Sequence, residues 1–207
     1  MAKGTEKSKV FDHFKKVDPK LLEIIREVNF EEWFGEEILD SDLIFKSLCR
    51  TIVSQQLAGK AAEAIYKRFE NLLRERITPE KLLKLDQQAI RDVGLSWAKV
   101  RSVVDLSSRV LEKSLILDDL EKLGDEGLIV ELSKVKGIGR WTAEMFLMFR
   151  LGREDIFSWG DLGLKNGLKK YLENKEVSLE EMEQVVNRWA PYRTYGAVAM
   201  WHLLDNR

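Results

Sequence analysis

The chain has 207 residues, of which 44% are hydrophobic, 33% are charged and only 3 are prolines, a composition typical of a folded globular protein. The single cysteine, Cys49, excludes an intramolecular disulfide framework and a four-cysteine metal site, and 2 histidines supply little for a histidine metal site or a hydrolytic triad. The formal net charge of -1 gives no overall attraction to nucleic acid, although a neutral total can hide a basic face. We see no signal peptide and no membrane-length apolar run, so we expect a cytoplasmic protein, nuclear in a eukaryote, without membrane contact.

Apolar residues recur at helical spacing almost throughout the chain. "PKLLEIIREVNF" begins with a first-turn proline, and "DLIFKSLCRTIVSQQL" is apolar on two faces, as a central helix would be. "TPEKLLKL" opens with a threonine cap, "DQQAIRDVGL" is stopped by Gly94, and Ser178 and Glu181 have the spacing of a capping box. No segment alternates as a strand does, so the sequence predicts an all-α fold of roughly ten helices.

The segment "KVKGIGRWTAEMF", residues 134–146, interrupts the helical pattern. Gly137 and Gly139 can take positive φ and let another backbone approach, and Ile138 between them can pin the turn to the core. The helix that follows begins with amide groups that suit a phosphate oxygen. Positive charge around the turn comes from Lys134, Lys136 and Arg140. On these residues alone, an ordinary helix–helix turn with a glycine stop remains the alternative.

Four segments, in this order along the chain, resemble motifs of the helix-hairpin-helix (HhH-GPD) DNA glycosylase superfamily, in its alkylation-repair branch of AlkA-type 3-methyladenine DNA glycosylase II. They are "FKSLCRTIVSQQLAGKAA", "LSKVKGIGRWTAEMF", "DIFSWGDLGLKNGL" and "RWAPYRTYGAVAMWHL". The resemblance implies a two-lobed helical fold. Residues 1–40 would be N-terminal helices that pack with the C-terminal lobe of residues 140–207, and residues 41–139 would form a middle lobe ending in the hairpin.

The resemblance also implies the type of chemistry. Relatives that cut the DNA strand have a lysine where this chain has Trp141, and an indole cannot form the Schiff base, so water would be the nucleophile. An aromatic pocket would suit positively charged alkylated purines. Its predicted residues are Trp141, Trp201, Met145 and Tyr192, with Tyr195 and Trp189 near enough to line the same wall. From the residues alone, Trp141 is equally well explained as a core tryptophan, and for Trp201 in "AVAMWHLL" the core interpretation is the stronger one.

Asp161 has two compatible interpretations, as the cap of the helix "LGLKNGLKKYL" and, by the resemblance, as the catalytic carboxylate. Amide donors and the helix dipole keep a carboxylate in this position ionised. The anion would stabilise the positive charge that develops on the deoxyribose and would orient or deprotonate the attacking water. Asp155, six residues earlier, serves as a comparison and is expected to cap a helix or to face solvent.

A base inside the duplex cannot be reached, so the nucleotide must rotate out and a protein side chain must fill the gap. Gln56 matches the family position for that side chain, although a polar helix terminus explains it equally well. The predicted DNA-binding residues are Gln56, Lys136, Gly137, Ile138, Gly139 and Arg140. The resemblance implies no organic cofactor and one monovalent cation, Na⁺ or K⁺, on the backbone carbonyls of Val135 and Gly137, with Ile138 as a further candidate.

The sequence therefore predicts a monofunctional DNA glycosylase of base excision repair that acts as a monomer on damaged double-stranded DNA. It would flip out and hydrolytically release alkylated purines, such as 3-methyladenine and 7-methylguanine, and leave an abasic site. Two alternatives remain open: a glycosylase for deaminated or mismatched bases, and a non-catalytic module that binds damaged DNA. The second would gain nothing from a carboxylate beside DNA phosphates.

Overall fold

The computed structural model describes residues 4–34 and 40–205, and its secondary structure in those ranges is helical without a strand, as the sequence predicts. The chain divides into two compact units. One, the discontinuous unit, consists of residues 1–37 and 147–207, and the other, the continuous unit, consists of residues 38–146. None of the described helices is long and apolar enough to cross a membrane.

The helices of the discontinuous unit come from both ends of the chain. They are α1 (Gly4–Val17), α2 (Pro19–Glu27), α3 (Phe30–Trp33), α11 (Leu162–Tyr171), α12 (Leu179–Asn187) and α13 (Arg193–Asp205). The continuous unit contains α4 (Ser41–Ser54), α5 (Gly59–Leu72), α6 (Pro79–Lys84), α7 (Gln87–Asp92), α8 (Trp97–Leu111), a 3₁₀ helix (Leu117–Lys122) and α9 (Asp125–Ser133). The remaining helix, α10 (Arg140–Phe149), begins in the continuous unit and ends in the discontinuous one.

Local sequence signals set several helix ends. Pro19 and Pro79 stand in first turns, and the Thr78 hydroxyl accepts from the Lys81 amide at the start of α6. The capping box at the start of α12 is present, because Ser178 and Glu181 each accept a hydrogen bond from the other's backbone amide. Gly94 follows α7 with a φ of 109°, a conformation that few other residues adopt.

The discontinuous unit is organised around a buried carboxylate, Asp18. It caps α2 by accepting from the Leu21 amide, and it also accepts from the Tyr171 hydroxyl at 2.5 Å and from the Trp189 indole at 2.9 Å. These bonds join the N-terminal helices to α11 and to the segment before α13. The helix α13 packs against both α2 and α11. A hydrogen-bonded carboxylate in this position is consistent with the rule that buried charge must be satisfied.

The core of the continuous unit lies around α4, which packs against α5, α8 and the 3₁₀ helix. Leu48, Cys49 and Ile52 are completely buried on it, which confirms that Cys49 is a core residue and that this helix is central. Burial raises the pKa of the Cys49 thiol far above its ordinary value, so this thiol is inert.

The division of the chain differs from the predicted lobes at both boundaries: the first falls after residue 37 instead of after residue 40, and the second differs more. The second boundary falls between Phe146 and Leu147, inside α10, whereas the sequence places it between residues 139 and 140. The helix α10 begins directly after the predicted boundary and runs through the observed one, because nothing in "RWTAEMFLMF" would stop it. Residues 1–3, 35–39, 206 and 207, which belong to the predicted lobes, lie outside the described residues. The three-part division as a whole stays a prediction.

Candidate functional site

The hairpin, which we define as residues 134–140, connects α9 to α10. Gly137 has a φ of 80°, and a Cβ placed there would lie well inside contact distance of the Ser102 hydroxyl. Ile138 is buried, so its side chain does pin the turn to the core. Of the two glycines expected to allow positive φ, only Gly137 takes it. A Cβ on Gly139 would meet nothing within 4 Å, so this side of the hairpin is open to an approaching backbone.

Gln55, at the end of α4, braces the hairpin. Its side-chain amide donates to the Gly137 carbonyl at 2.9 Å and to the Thr142 hydroxyl at 3.3 Å. The backbone carbonyl of Gln55 accepts from the Lys99 ammonium at 2.6 Å, and that ammonium also donates to the backbone carbonyl of Val53 at 2.8 Å. Lys99 thus satisfies carbonyls at the end of α4, and desolvation lowers its pKa below the ordinary value.

Gln56, the predicted gap-filling residue, follows directly and has a φ of 57°. This left-handed conformation is uncommon for a residue other than glycine and is concentrated at functional turns. The Gln56 side chain is exposed, while Gln55 beside it is held at both ends. Gln56 is therefore exposed next to a backbone segment that the hydrogen bonds of Gln55 hold in place.

The cation predicted on the carbonyls of Val135 and Gly137 can be tested for fit. The Gly137 carbonyl accepts from Gln55 and the Val135 carbonyl accepts from the Ile138 amide at 3.0 Å. Each oxygen retains a second lone pair, so a cation fits here only alongside these bonds. Among the described residues there is no cluster of three or more acidic, histidine or cysteine side chains that could hold a metal ion. The monovalent site stays a prediction.

Every cation predicted around the hairpin pairs with a carboxylate. Lys134 pairs with Glu131 at 2.5 Å, and the Lys136 ammonium lies 3.7 Å from Asp105. The Arg140 guanidinium forms a bidentate pair with Glu126 and donates to Glu144 at 2.9 Å. The Glu144 side chain is only 4% exposed, so this carboxylate is a fixed part of α10. A DNA phosphate would have to compete with these carboxylates for the Arg140 side chain.

Asp105 on α8 holds the hairpin backbone. Its carboxylate accepts from the Lys136 amide at 2.9 Å and from the Arg109 guanidinium at 2.9 Å. Partial burial acts to raise the pKa of Asp105, but the hydrogen bonds from Lys136 and Arg109 and the charges of both side chains outweigh it, and the pKa lies below its ordinary value. The ionised form is therefore the one that stabilises the hairpin.

Trp141 and Met145 lie one turn apart on α10, within the continuous unit. Trp141 is 48% exposed, which excludes the interpretation as a core tryptophan. Met145 is half-buried. An indole this exposed at the start of a helix is available for contact with a ligand.

Asp161 closes the loop of residues 155–161, which we call the aspartate loop, and caps α11. Its Oδ1 accepts from the Leu164 amide at 2.8 Å and from the Trp201 indole N–H at 3.2 Å. The capping interpretation is therefore confirmed, and a second donor from α13 is added to it. Leu162, the next residue, is 71% exposed, so the half-buried carboxylate lies beside an apolar surface.

An aromatic cluster backs the Trp201 ring. Trp33 stacks on it with ring centroids 5.7 Å apart and an interplanar angle of 6°. Phe149 packs against both rings at 5.9 and 6.1 Å. All three side chains are only half-buried. Sequence reasoning missed Trp33, because 168 positions separate it from Trp201 and the short segment "FEEWF" has no periodicity to place it.

The other aromatic residues considered for the pocket have different surroundings. Tyr192 packs on the rings of His13 and Tyr195, at 5.2 and 6.0 Å. Trp189 is completely buried against Asp18 and is a core residue, so the suggestion that it lines a pocket wall is wrong. Asp155, the comparison residue, forms a bidentate ion pair with Arg193 at 2.8 and 2.9 Å and accepts from its amide at the start of α13.

Comparison with known proteins agrees with this arrangement. Residues 49–191 match the profile of the family described as HhH-GPD superfamily base excision DNA repair protein. DNA-3-methyladenine glycosylase 1 of Schizosaccharomyces pombe is 34% identical over 76% of this chain and 71% of its own length.

Two solved structures are similar over most of the chain. The crystal structure of a DNA-3-methyladenine glycosidase from Bacillus halodurans has a TM-score of 0.78 and 34% identity, with 91% of this chain and 87% of that chain covered. The 3-methyladenine DNA glycosylase of S. pombe in complex with abasic DNA has a TM-score of 0.73 and 29% identity, with 93% and 95% covered. The chain belongs to the HhH-GPD superfamily of base excision DNA repair proteins.

Proposed function

We propose that this protein is a DNA glycosylase of base excision repair that releases alkylated purines from duplex DNA by hydrolysis and leaves an abasic site. The observation that carries this proposal is the similarity, over nine-tenths of the chain, to two DNA-3-methyladenine glycosylases, one of them bound to abasic DNA. The same fold can serve many substrates, so the reaction depends on the residues of the site.

Asp161 is the proposed catalytic carboxylate. Breaking the N-glycosidic bond builds positive charge on the sugar ring, and a fixed anion nearby stabilises that charge. The bonds from Leu164 and Trp201 fix the orientation of the carboxylate, and both donors are uncharged. The carboxylate can orient or deprotonate the attacking water.

Trp141 supports hydrolysis over strand cleavage. A lyase reaction needs an amine that attacks the sugar carbon, and the indole at this position offers none. Its exposed ring and the ring of Trp201 are suited to cationic bases, since a cation over an indole face gains roughly 0.5 to 2 kcal/mol. An N3- or N7-alkylated purine carries such a charge and is already a good leaving group, so no acid on the base side is required.

The hairpin and Gln56 are the proposed DNA contacts. The open side of Gly139 and the backbone from residue 137 to 140 would bind phosphate, and Gln56 would fill the gap left by the flipped nucleotide. A monovalent cation, when bound, would add positive charge near that phosphate, held by the carbonyls of Val135 and Gly137. We further propose that the protein acts as a monomer, in the cytoplasm or in a eukaryotic nucleus.

A base-release assay tests the proposal. A duplex oligonucleotide with one N7-methylguanine is incubated with the wild-type protein, with Asp161→Asn and with Asp155→Asn, and free base and strand nicking are measured in single turnover. We expect Asp161→Asn to slow release by about 100- to 10,000-fold, because it keeps the hydrogen-bond acceptor and removes the charge. Asp155→Asn should release the base at the wild-type rate.

The other outcomes identify the alternatives. Wild-type release by Asp161→Asn would remove Asp161 from the reaction, and a borohydride-trapped adduct with a β-elimination nick would replace hydrolysis by lyase chemistry. Parallel duplexes with hypoxanthine, uracil or a mismatch test the deaminated-base alternative. Binding of all these duplexes without release of any base would leave a damage-binding module.

A further inference from the structure

Trp201 donates its indole N–H to the same Asp161 oxygen that caps α11. The ring cannot turn freely, because Trp33 stacks on it and Phe149 packs against its side. A rigid indole with one donor atom therefore fixes the direction from which Oδ1 is held. The helix cap alone fixes the distance of the carboxylate from the helix but leaves its rotation less constrained.

Gly163 is the second part of this arrangement. A Cβ at position 163 would lie 2.9 Å from Asp161 Oδ1 and 3.1 Å from Trp201 Nε1. Both distances are shorter than an ordinary van der Waals contact, so a side chain here would push apart the two groups that bond. The φ of Gly163 is not positive, and it lies in the first turn of α11, where glycine is a poor helix former. Neither the backbone conformation nor helix propensity requires a glycine at position 163. Glycine is required because the space between Asp161 and Trp201 leaves no room for a Cβ.

We propose that Trp201 and Gly163 are positioning residues for Asp161: the indole N–H orients the carboxylate, and the absence of a side chain at 163 makes room for that bond. This inference rests on the proposed catalytic role of Asp161. It gives Trp201 a function beyond that of an aromatic pocket wall, and it gives Gly163 a function in the reaction.

Two single variants test the proposal in the full-length protein with the N7-methylguanine duplex. Trp201→Phe keeps an aromatic ring for Trp33 and removes the N–H, and Gly163→Ala keeps Trp201 and crowds the bond. We expect each to lower the single-turnover rate at saturating protein by about 10- to 100-fold, the value of one hydrogen bond to a charged group. Affinity for a duplex with a stable abasic analogue should change by less than about threefold.

The double variant and a matched glycine make the test specific. Because both changes break the same bond, Trp201→Phe with Gly163→Ala should be no more than about threefold slower than either single variant. Gly160→Ala, on the other side of Asp161, is the control, since a Cβ there meets nothing within 4 Å, and its rate should equal that of the wild type. The unfolding temperature of Gly163→Ala is measured beside the rate, because the better helix propensity of alanine opposes the cost of crowding Asp161 and Trp201.

Three results would overturn the inference. Rates equal to the wild type in both variants would show that the bond does not matter. A loss confined to DNA affinity would make Trp201 a binding surface only, and fully multiplicative losses in the double variant would make the two residues independent. If Asp161→Asn is inactive in any of these cases, the proposed function stands without the positioning role. If Asp161→Asn is fully active, the proposed function itself fails.

Discussion

Charged groups hold one another at the hairpin, whereas at the aspartate loop a carboxylate is held by uncharged donors. Arg140 lies between Glu126 and Glu144, and Asp105 accepts from the backbone of Lys136 and from Arg109. Asp161 accepts from a backbone amide and an indole. The first arrangement pairs opposite charges and can be exchanged for a phosphate, and the second orients the Asp161 carboxylate.

Because of this difference, DNA affinity and the rate of the chemical step should respond to different substitutions. Changes at the hairpin should alter DNA affinity and its salt dependence while the chemical step persists, and changes around Asp161 should do the reverse. A chain with a net charge of -1 can still bind DNA if a phosphate replaces the carboxylate partners of the hairpin cations.

Among changes in the continuous unit, the largest effect is expected from Gly137→Ala, which distorts the hairpin. The left-handed φ of 80° and the clash with the Ser102 hydroxyl should together cost about 2–3 kcal/mol of unfolding free energy. DNA affinity should fall about 10- to 100-fold, with a rate at saturation within about threefold of the wild type. Fluorescence anisotropy and single-turnover release measure the two quantities. Adding Ser102→Ala should recover part of the stability, and unchanged affinity in Gly137→Ala would separate the hairpin from DNA binding.

The next largest effect is expected from Asp105→Asn, which tests whether the charge of this carboxylate stabilises the hairpin. It should lower the unfolding free energy by about 1–2 kcal/mol, since the side chain is only 14% exposed and loses charge-assisted bonds to Lys136 and Arg109. Because the folded-state pKa of Asp105 is depressed, this contribution is present above about pH 4 and disappears as the pH falls below that value. Thermal melts of both proteins from pH 7 to pH 3 check this. A stability difference that stays constant with pH would contradict the assignment.

Glu126→Gln should change DNA affinity less than Gly137→Ala does and in the opposite direction. Removing the carboxylate that pairs with Arg140 should strengthen DNA binding by about three- to tenfold and steepen the salt dependence by about one phosphate contact. Affinity is measured at several salt concentrations. The matched control is Glu63→Gln, which removes the same charge from an ion pair with Arg50 elsewhere in the continuous unit. An equal gain in both variants would show that only net charge matters.

The smallest effect on stability is expected from Gln56→Gly. Glycine takes a φ of 57° without strain, so the unfolding free energy should rise by about 0.5–1 kcal/mol while base release slows several-fold. Lys113→Gly is the control, because Lys113 has the same φ of 57° and lies in another loop of the same unit. It should gain stability and keep the wild-type release rate. If both variants keep the rate, Gln56 does not fill the gap.

Local patterns were sufficient to predict much of the fold. The prolines at helix starts, the Ser178 capping box and the cap by Asp161 depend on residues within three positions of each other, and all are present. Burial of Cys49 follows from its apolar neighbours in the sequence, and burial of Ile138 from its place as an apolar side chain between two glycines. The glycines of the hairpin could not be ranked from the sequence, because the φ of 80° at Gly137 and the approach of Ser102 exist only in the folded chain.

The contacts of the site depend on residues that are far apart in sequence. Gln55 reaches Gly137 across 82 positions, and Asp161 reaches Trp201 across 40. The pairing of Arg140 with Glu126 spans 14 positions and a turn, so no helical spacing predicts it. Motif matching selected Asp161, Trp201 and Gln56 as candidates, but their donors, acceptors and neighbours required the folded chain.

The carboxylate of Asp18 has a consequence for protein synthesis. Its partners Tyr171 and Trp189 lie 153 and 171 positions later in the chain. At a translation rate of roughly 5–20 residues per second, Asp18 waits roughly 10–30 s before Trp189 is made. The continuous unit can fold during that interval, while the two segments of the discontinuous unit meet only near the end of translation. A ribosome that stalls before residue 189 therefore holds a chain in which the hairpin is complete but Asp18 still lacks its partner Trp189.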